Sequence, residues 1–237
     1  DLCRDFDFTQ VEVVNDFAAL ASAIPYLSAD DVVVLQAGDE EYTEQKYSVK
    51  AVVGPGTGLG VAALMKQDNN WAPLSSEGGH RAFSPETDLE MELFKILRSE
   101  SNYASVEQFL SGSGLQNIYQ GLHRVHKKPL KPLLPFEITE YAVGGRCELA
   151  QQALSIFCAQ LGSICGDAAL TFGARAGLYL GGGIPPKIQN YLIASDFIQR
   201  FNNKGKQTDY VKGIPVKLIT KDTPALLGAA AWLINKD

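Results

Sequence analysis

The chain has 237 residues, 46% of them hydrophobic and 20% charged, with a net charge of −6; this is enough to bury a core and ordinary for a globular protein. An acidic balance speaks against nucleic acid as a partner, because phosphate backbones are met by basic faces, and the one basic stretch, residues 123–131, is short, proline-broken and reads as a solvated loop. No apolar run reaches the roughly 18 residues of a bilayer span, and the opening Asp1-Leu2-Cys3-Arg4-Asp5 has no secretion-signal character, so the expectation is a cytoplasmic protein with no membrane partner.

Residues 11–14 read as a short strand ending at Asn15-Asp16, and residues 17–24 as a helix stopped by Pro25. Residues 32–35, 47–53 and 59–64 are β-rich runs separated by turn chemistry, and 71–74 resembles them. Between the second and third lies Gly54-Pro55-Gly56-Thr57-Gly58-Leu59-Gly60. From Pro85 the pattern turns helical: Leu89, Leu93, Ile96 and Leu97 share one face, and 106–110 and 115–122 are shorter helices. Residues 127–136, with three prolines, read as a surface loop, and 146–172 as a long amphipathic helix. It carries three of the four cysteines, Cys147, Cys158 and Cys165, which with Cys3 form no CxxC pair and read as buried reduced thiols. The strand 177–180 runs into Gly181-Gly182-Gly183, and 214–219 is a further strand. Asp222-Thr223-Pro224 then starts a helix, 225–234, whose small residues are expected to pack closely on a sheet.

Several of these residues have the types that chemistry needs. Consecutive N–H groups in a glycine-rich turn form a concave nest for phosphate oxygens, and Thr57 adds a hydroxyl; a plain tight hairpin is the alternative. Asp16 can accept a proton from an alcohol that Asn15 holds beside it, unless the pair only caps the next helix. Glu77 and His80 flank Gly78-Gly79, so that one acceptor and one donor-acceptor can enter a common cleft suited to sugar hydroxyls, or simply decorate a polar turn. Glu107 points into the same cleft or into solvent.

In this order, Val14-Asn15-Asp16-Phe17, Gly54 to Gly60, Glu77-Gly78-Gly79-His80, Glu107 with Leu110-Ser111-Gly112, Gly177 to Gly183, and Asp222-Thr223-Pro224 with Leu226-Leu227-Gly228 resemble the bacterial-type glucokinase family. The resemblance covers nearly the whole chain. It implies an α/β, two-domain actin-like, ribonuclease-H-like sugar kinase fold: residues 1–24 as a remnant of the small domain, 25–221 as the large domain and 222–237 as a helix returning to the small one. It further implies glucose and ATP as ligands, Mg²⁺ as the metal, Asp16 as the base for the sugar 6-hydroxyl, and Asn15, Glu77, His80 and Glu107 as hexose-binding side chains. Gly54, Gly56, Thr57 and Gly58 match the family's phosphate-contacting loop, and Gly181, Gly182 and Gly183 the turn beside its adenosine pocket. A homodimer through the helical middle of the chain is compatible with the family.

The chain departs from the family in one respect. Members begin with a strand carrying Asp-x-Gly-Gly-Thr-Asn, which occurs nowhere here; the expectation is an incomplete small domain lacking roughly 80 residues at ordinary element lengths. That departure motivates a second expectation, a non-catalytic sugar-binding or interaction protein derived from a sugar kinase. A related branch of sugar kinases and repressors surrounds the matching histidine with zinc-binding cysteines and carries a DNA-binding helix-turn-helix; no cysteine cluster follows His80 and no such motif is found.

Overall fold

The β-rich runs assemble into a single six-stranded sheet. In the computed structural model, which describes residues 2–39, 48–68 and 70–234, the strands are β1 (Val32–Gln36), β2 (Ser48–Pro55), β3 (Leu59–Gln67), β4 (Asn70–Ser76), β5 (Leu178–Leu180) and β6 (Val216–Ile219), ordered β1-β6-β5-β2-β3-β4. Tyr47, the first residue of one predicted strand, lies outside the described residues. β2, β3 and β4 form an antiparallel meander, β2, β5 and β6 run parallel, and β1 closes the edge antiparallel to β6. Parallel strands need long crossovers, which helices supply. Two helices, α1 (Leu2–Phe6) and α2 (Asp16–Ala23), precede the sheet. Four connect β4 to β5: α3 (Asp88–Glu100), α4 (Gly112–Val125), α5 (Pro135–Val143) and α6 (Glu148–Phe172). Three connect β5 to β6, namely α7 (Gln189–Ala194), α8 (Phe197–Asn202) and α9 (Thr208–Lys212), and α10 (Pro224–Ile234) follows β6. The carboxyl ends of β2, β5 and β6 therefore open on one side, where ligands of open α/β sheets bind.

Strand alternation divides the core in two. Ala51, Val53, Leu178, Leu180, Val216 and Leu218 face α6, whose Leu154, Phe157, Leu161 and Cys165 are fully buried. α6 has the length and hydropathy of a membrane span, yet 83% of its most apolar window is covered by the protein itself. Burial pushes the Cys158 thiol up to about 12 and the Cys165 thiol higher still. On the other face Val52, Ala62, Leu64, Tyr179 and Ile219 receive Leu20, Ala21 and Ile24 at and just beyond α2.

Three expectations are corrected here. Residues 11–14 form no strand: among the described residues nothing pairs with them, Val13 is 95% exposed, and the stretch is held instead by the Trp232 Nε1–H donating to Glu12 Oε2 at 3.1 Å. The small-residue helix α10 does pack closely, but on α2, which already covers that face of the sheet; a Cβ on Gly228 would lie 1.6 Å from the Ala19 carbonyl oxygen. The basic stretch is not wholly a loop either. His123 is buried in the last turns of α4, edge-on to Tyr119. α5 is an element that the reading of a surface loop overlooked, although Pro135 at its first position and Glu137 accepting the Leu134 N–H at 2.7 Å are ordinary start signals.

A buried ion pair ties three helices together. Glu90 of α3, 2% exposed, faces the Arg200 guanidinium of α8 through two oxygens, at 3.1 and 3.2 Å, and Arg200 Nε donates to Ser163 Oγ of α6 at 2.9 Å. Burial works to raise the Glu90 carboxyl, but Arg200 and the Glu86 N–H outweigh it and hold the group below its ordinary 4.5. Folding therefore gains from this group above that value and loses the gain as pH falls below it. Glu90→Ala leaves the guanidinium with Glu86 Oε2, 3.2 Å from Nε, as a remaining carboxylate, and denaturant titration is expected to show a loss of about 1–3 kcal/mol.

On the opposite face, Lys50 Nζ lies 4.5 Å above the Trp71 ring, with Lys66 and Lys217 over the same pair of aromatic residues, Trp71 and Tyr179. Burial, then the neighbouring Lys217 and Lys66 charges, lower the Lys50 ammonium to about 8. Between that value and its ordinary 10.5 the unfolded chain holds the proton more firmly, so this residue's contribution makes stability rise with pH across the window. Thermal melts of Lys50→Met from pH 7 to 10.5 are expected to show a higher Tm at pH 7 and a flatter pH dependence than the parent.

Candidate active site

Asn15 and Asp16 open α2. Asn15 is extended at φ −63°, ψ 137°, and its Oδ1 accepts the Phe17 and Ala18 N–H groups at 3.0 Å each; Asp16 Oδ1 accepts the Phe17 N–H at 2.8 Å. Capping is thus real and explains why these residue types start the helix. It consumes one oxygen of each side chain. The Asn15 amide donors and the second Asp16 oxygen are what the pair presents to the cleft beside it.

Sterics set the distance from this pair to the glycine-rich hairpin. Phe17 lies flat against the turn: a Cβ on Gly60 would sit 1.9 Å from Phe17 Cδ2, and one on Gly54 2.8 Å from Phe17 Cζ. Those two glycines serve packing. Gly56, with nothing nearer than 3.8 Å to a Cβ, and the exposed Thr57 form the open tip. The tip is fixed by Gly56 N–H donating to Gly58 O at 2.8 Å and by Gly112 N–H donating to Gly56 O at 2.9 Å. The Gly181-Gly182-Gly183 run adjoins it, since Gly181 N–H donates to Val53 O at 2.9 Å, and Gly182, at φ +82°, has room for no side chain against Pro55 O.

Glu77 precedes a 3₁₀ turn over Gly78–His80, closed by the His80 N–H donating to Glu77 O at 3.0 Å. Gly79 allows the turn to lie on the start of β3, as a Cβ there would meet Leu59 O at 2.1 Å. The Glu77 and His80 side chains are 82% and 60% exposed and 3.8 Å apart, a weak pair left available for a ligand. Glu107, half-buried in the 3₁₀ turn Val106–Gln108, accepts the Leu59 N–H on Oε2 at 2.8 Å. Its segment is locked by Ser111, fully buried, whose hydroxyl donates to Glu107 O at 2.8 Å and accepts the Gly114 N–H at 3.0 Å.

All five side chains expected at the site line one cleft of about 480 Å³, together with Gly54, Gly56, Thr57, Gly58, Gly182 and Gly183. Gly181 lies outside it and lines a neighbouring cavity of about 460 Å³ with Asp16, Lys187, Asp222 and Thr223. Gly56, Thr57 and Gly183 also border a third cavity, of about 800 Å³, walled by Leu115, Phe136, Val143, Ile184 and Ile188 with Arg146 and Lys187 at its polar positions. The walls of that cavity were not read from the sequence, because α5, which forms one of them, received no element of its own, its first two residues falling in the expected loop 127–136; its signal is the apolar spacing of Ile138 and Ala142 after Pro135. Lys187, which borders two cavities, was missed as well, and a lone lysine after Pro185-Pro186 offers no pattern to find it by.

A glucokinase family model matches residues 1–236. The chain is 42% identical over 229 residues to the glucokinase of Saccharophagus degradans, a match covering 97% of this chain and 70% of that one. It is 42% identical over 223 residues to the glucokinase of Neisseria meningitidis, covering 94% and 67% respectively. Among solved structures, a glucokinase from an Antarctic psychrotroph matches with a TM-score of 0.89 at 43% identity, over 98% of this chain and 71% of that one. The glucokinase of Balamuthia mandrillaris, solved with glucose, shares the fold with a TM-score of 0.77 at 20% identity, over 96% and 66%. The architecture is thus the actin-like sugar kinase fold, and with sequence and fold agreeing over nearly its whole length the chain belongs to the glucokinase family.

Proposed function

We propose that this chain transfers the γ-phosphoryl group of ATP to the 6-hydroxyl of glucose in the cleft between α2 and the β2–β3 hairpin. The observation that carries the reading is the convergence of Asn15, Asp16, Glu77, His80 and Glu107 with the Gly56-Thr57-Gly58 tip in one cavity of about 480 Å³. Phosphoryl transfer needs an aligned hydroxyl, neutralised charge and excluded water rather than a covalent nucleophile. In this reading the Asp16 oxygen not engaged by the Phe17 N–H takes the hydroxyl proton as the oxygen attacks in line. Asn15, Glu77, His80 and Glu107 hold the remaining sugar hydroxyls, and groups built for hydroxyls reject analogues that lack them.

The adjoining cavity of about 800 Å³ suits a nucleoside, being largely apolar with a few polar groups at its rim. Its shared border at Gly56, Thr57 and Gly183 would bring the phosphates to the hairpin tip, with Lys187 as a cation beside them. Among the described residues no three metal-ligating side chains come together. Mg²⁺ would be held chiefly by the nucleotide's phosphates, a common arrangement for this ion, and would supply charge neutralisation. A cytoplasmic location belongs to the same proposal, as the place where ATP is spent. The enzyme names of the 42% identical relatives favour catalysis over the binding-only expectation.

Asp16→Asn preserves the oxygen that accepts the Phe17 N–H, so the helix start survives while the base is lost. A coupled assay for glucose 6-phosphate is expected to show turnover reduced about 100-fold or more, with glucose affinity by calorimetry within a few fold; unchanged turnover removes Asp16 as the base. Position is equally exacting, since displacement by about 1 Å can cost on the order of 100-fold in rate. Gly60→Ala drives a methyl into Phe17 and is expected to reduce kcat/KM on that scale, and Phe17→Ala made in the same chain recovers part of it.

A further inference from the structure

The turn that carries Glu77 and His80 is soft by composition. Gly78 and Gly79 bring no side chains to hold it, and glycine loses the most conformational freedom on ordering. Among the described residues the Glu77 and His80 side chains form only their weak 3.8 Å pair. They stay free to adjust, but the backbone beneath them needs an anchor.

Arg81 supplies one. The chain leaves the turn extended at Arg81, φ −64°, ψ 160°, and the Arg81 Nη2 donates to Asp167 Oδ2 of α6 at 3.0 Å. The other Asp167 oxygen lies 2.7 Å from Nζ of Lys204, which also donates to Ser163 O at 2.9 Å. The Lys204 side chain is 8% exposed and passes over Gly166, where a Cβ would lie 2.4 Å from Lys204 Cε. A buried cation and a core helix thus fix the carboxylate to which Arg81 is tied.

The Arg81 backbone joins the second sugar-facing segment too. Its carbonyl accepts the N–H of Val106, the neighbour of Glu107, at 2.9 Å; Ala82 bridges to Ser105, and the Phe83 N–H donates to Ala104 O at 3.0 Å. Phe83 stacks on Phe109 in the core, ring centroids 3.6 Å apart. This small ribbon has an apolar anchor at Phe83 and an ionic one at Arg81, and the ionic one adjoins His80.

Resting on the assignment of the cleft made above, we infer that Arg81 is a positioning residue for the sugar: its ion pair with Asp167, backed by Lys204, holds the Glu77–His80 turn and the Glu107 segment in the arrangement that receives a hexose. Without the pair the turn samples other arrangements, and apparent glucose affinity falls in proportion to the competent fraction. Bound sugar restores the competent arrangement, so the rate at saturation changes little. The cavity of about 800 Å³ has no residue of 77–83 in its wall, so nucleotide binding is spared.

Calorimetry and steady-state kinetics on the full chain, comparing the parent with Arg81→Met and Asp167→Asn, test this. Arg81→Met keeps the apolar stem; Asp167→Asn keeps an oxygen for Lys204 and turns an amide NH₂ toward the guanidinium. Each is expected to raise the Kd and KM for glucose about 3- to 10-fold, with kcat at saturating glucose and the Kd of a non-hydrolysable ATP analogue within about twofold of the parent. The double variant is expected to bind glucose no more weakly than the worse single one, because both changes remove the same pair. Glucose affinity unchanged in both single variants overturns the inference and leaves the proposed reaction standing. Glucose and nucleotide weakening in parallel, or a double variant whose loss is the product of the single losses, overturns it as well. If the parent binds no glucose, the proposed function fails and the inference fails with it.

Discussion

The site depends on one steric constraint, the close contact of the Phe17 ring with Gly60 and, at its tip, with Gly54 of the hairpin, where the Gly181-Gly182 backbone is equally near. A side chain at either glycine would occupy the space of the ring, so the first turn of α2 could not reach the sheet. With the ring seated, Asp16 stands one residue away from a fixed point on β2 and β3, and its place in the cleft follows from covalent geometry. The contact also explains why the hairpin carries more glycines than a phosphate nest requires: Gly54 and Gly60 serve packing, while Gly56 leaves the tip open.

Around that contact the site is built on rigid elements at its base and lighter structure at its rim. Backbone bonds and the buried Ser111 hydroxyl secure the hairpin tip and the Glu107 segment. Glu77 and His80 stand in solvent on a single 3₁₀ turn. In the proposed reaction such a division would place the reacting groups where displacement is costly, and leave the groups that first meet a sugar able to adjust. The two core clusters on opposite faces of the sheet hold this frame from both sides, with α6 behind the strands and the α2–α10 pair in front.

Much of this was legible in the sequence because local chemistry and tertiary structure agree. Strands β1 to β6, α6 and the cap of α2 follow from β-rich runs, helical spacing and start signals that packing did not override. The candidate site residues, which the structure brings to one cleft, stand out through their order along the chain, since no pair among them is diagnostic alone. Failures share a cause. Residues 11–14 are mostly apolar and β-branched like a short strand, but composition says nothing about whether a neighbour is there to pair with. α5 was hidden by the prolines before it, although Pro135 is a helix starter in the right setting. The target of α10 could not be read either, because small residues announce close approach without naming the surface approached. His123 shows the same limit: in a run of basic residues it resembles its neighbours, and only the helix phase places it inside.

The cysteines of α6 carry a practical consequence. A thiol reacts with oxidants and alkylating reagents as its thiolate, and Cys158 and Cys165 are enclosed on all sides with their ionisation suppressed by burial. Neither presents a reactive sulfur while the core is shut. Labelling of these two positions therefore keeps time with the opening of the molecule itself, giving the chain a built-in chemical clock for its own unfolding in the presence or absence of any ligand.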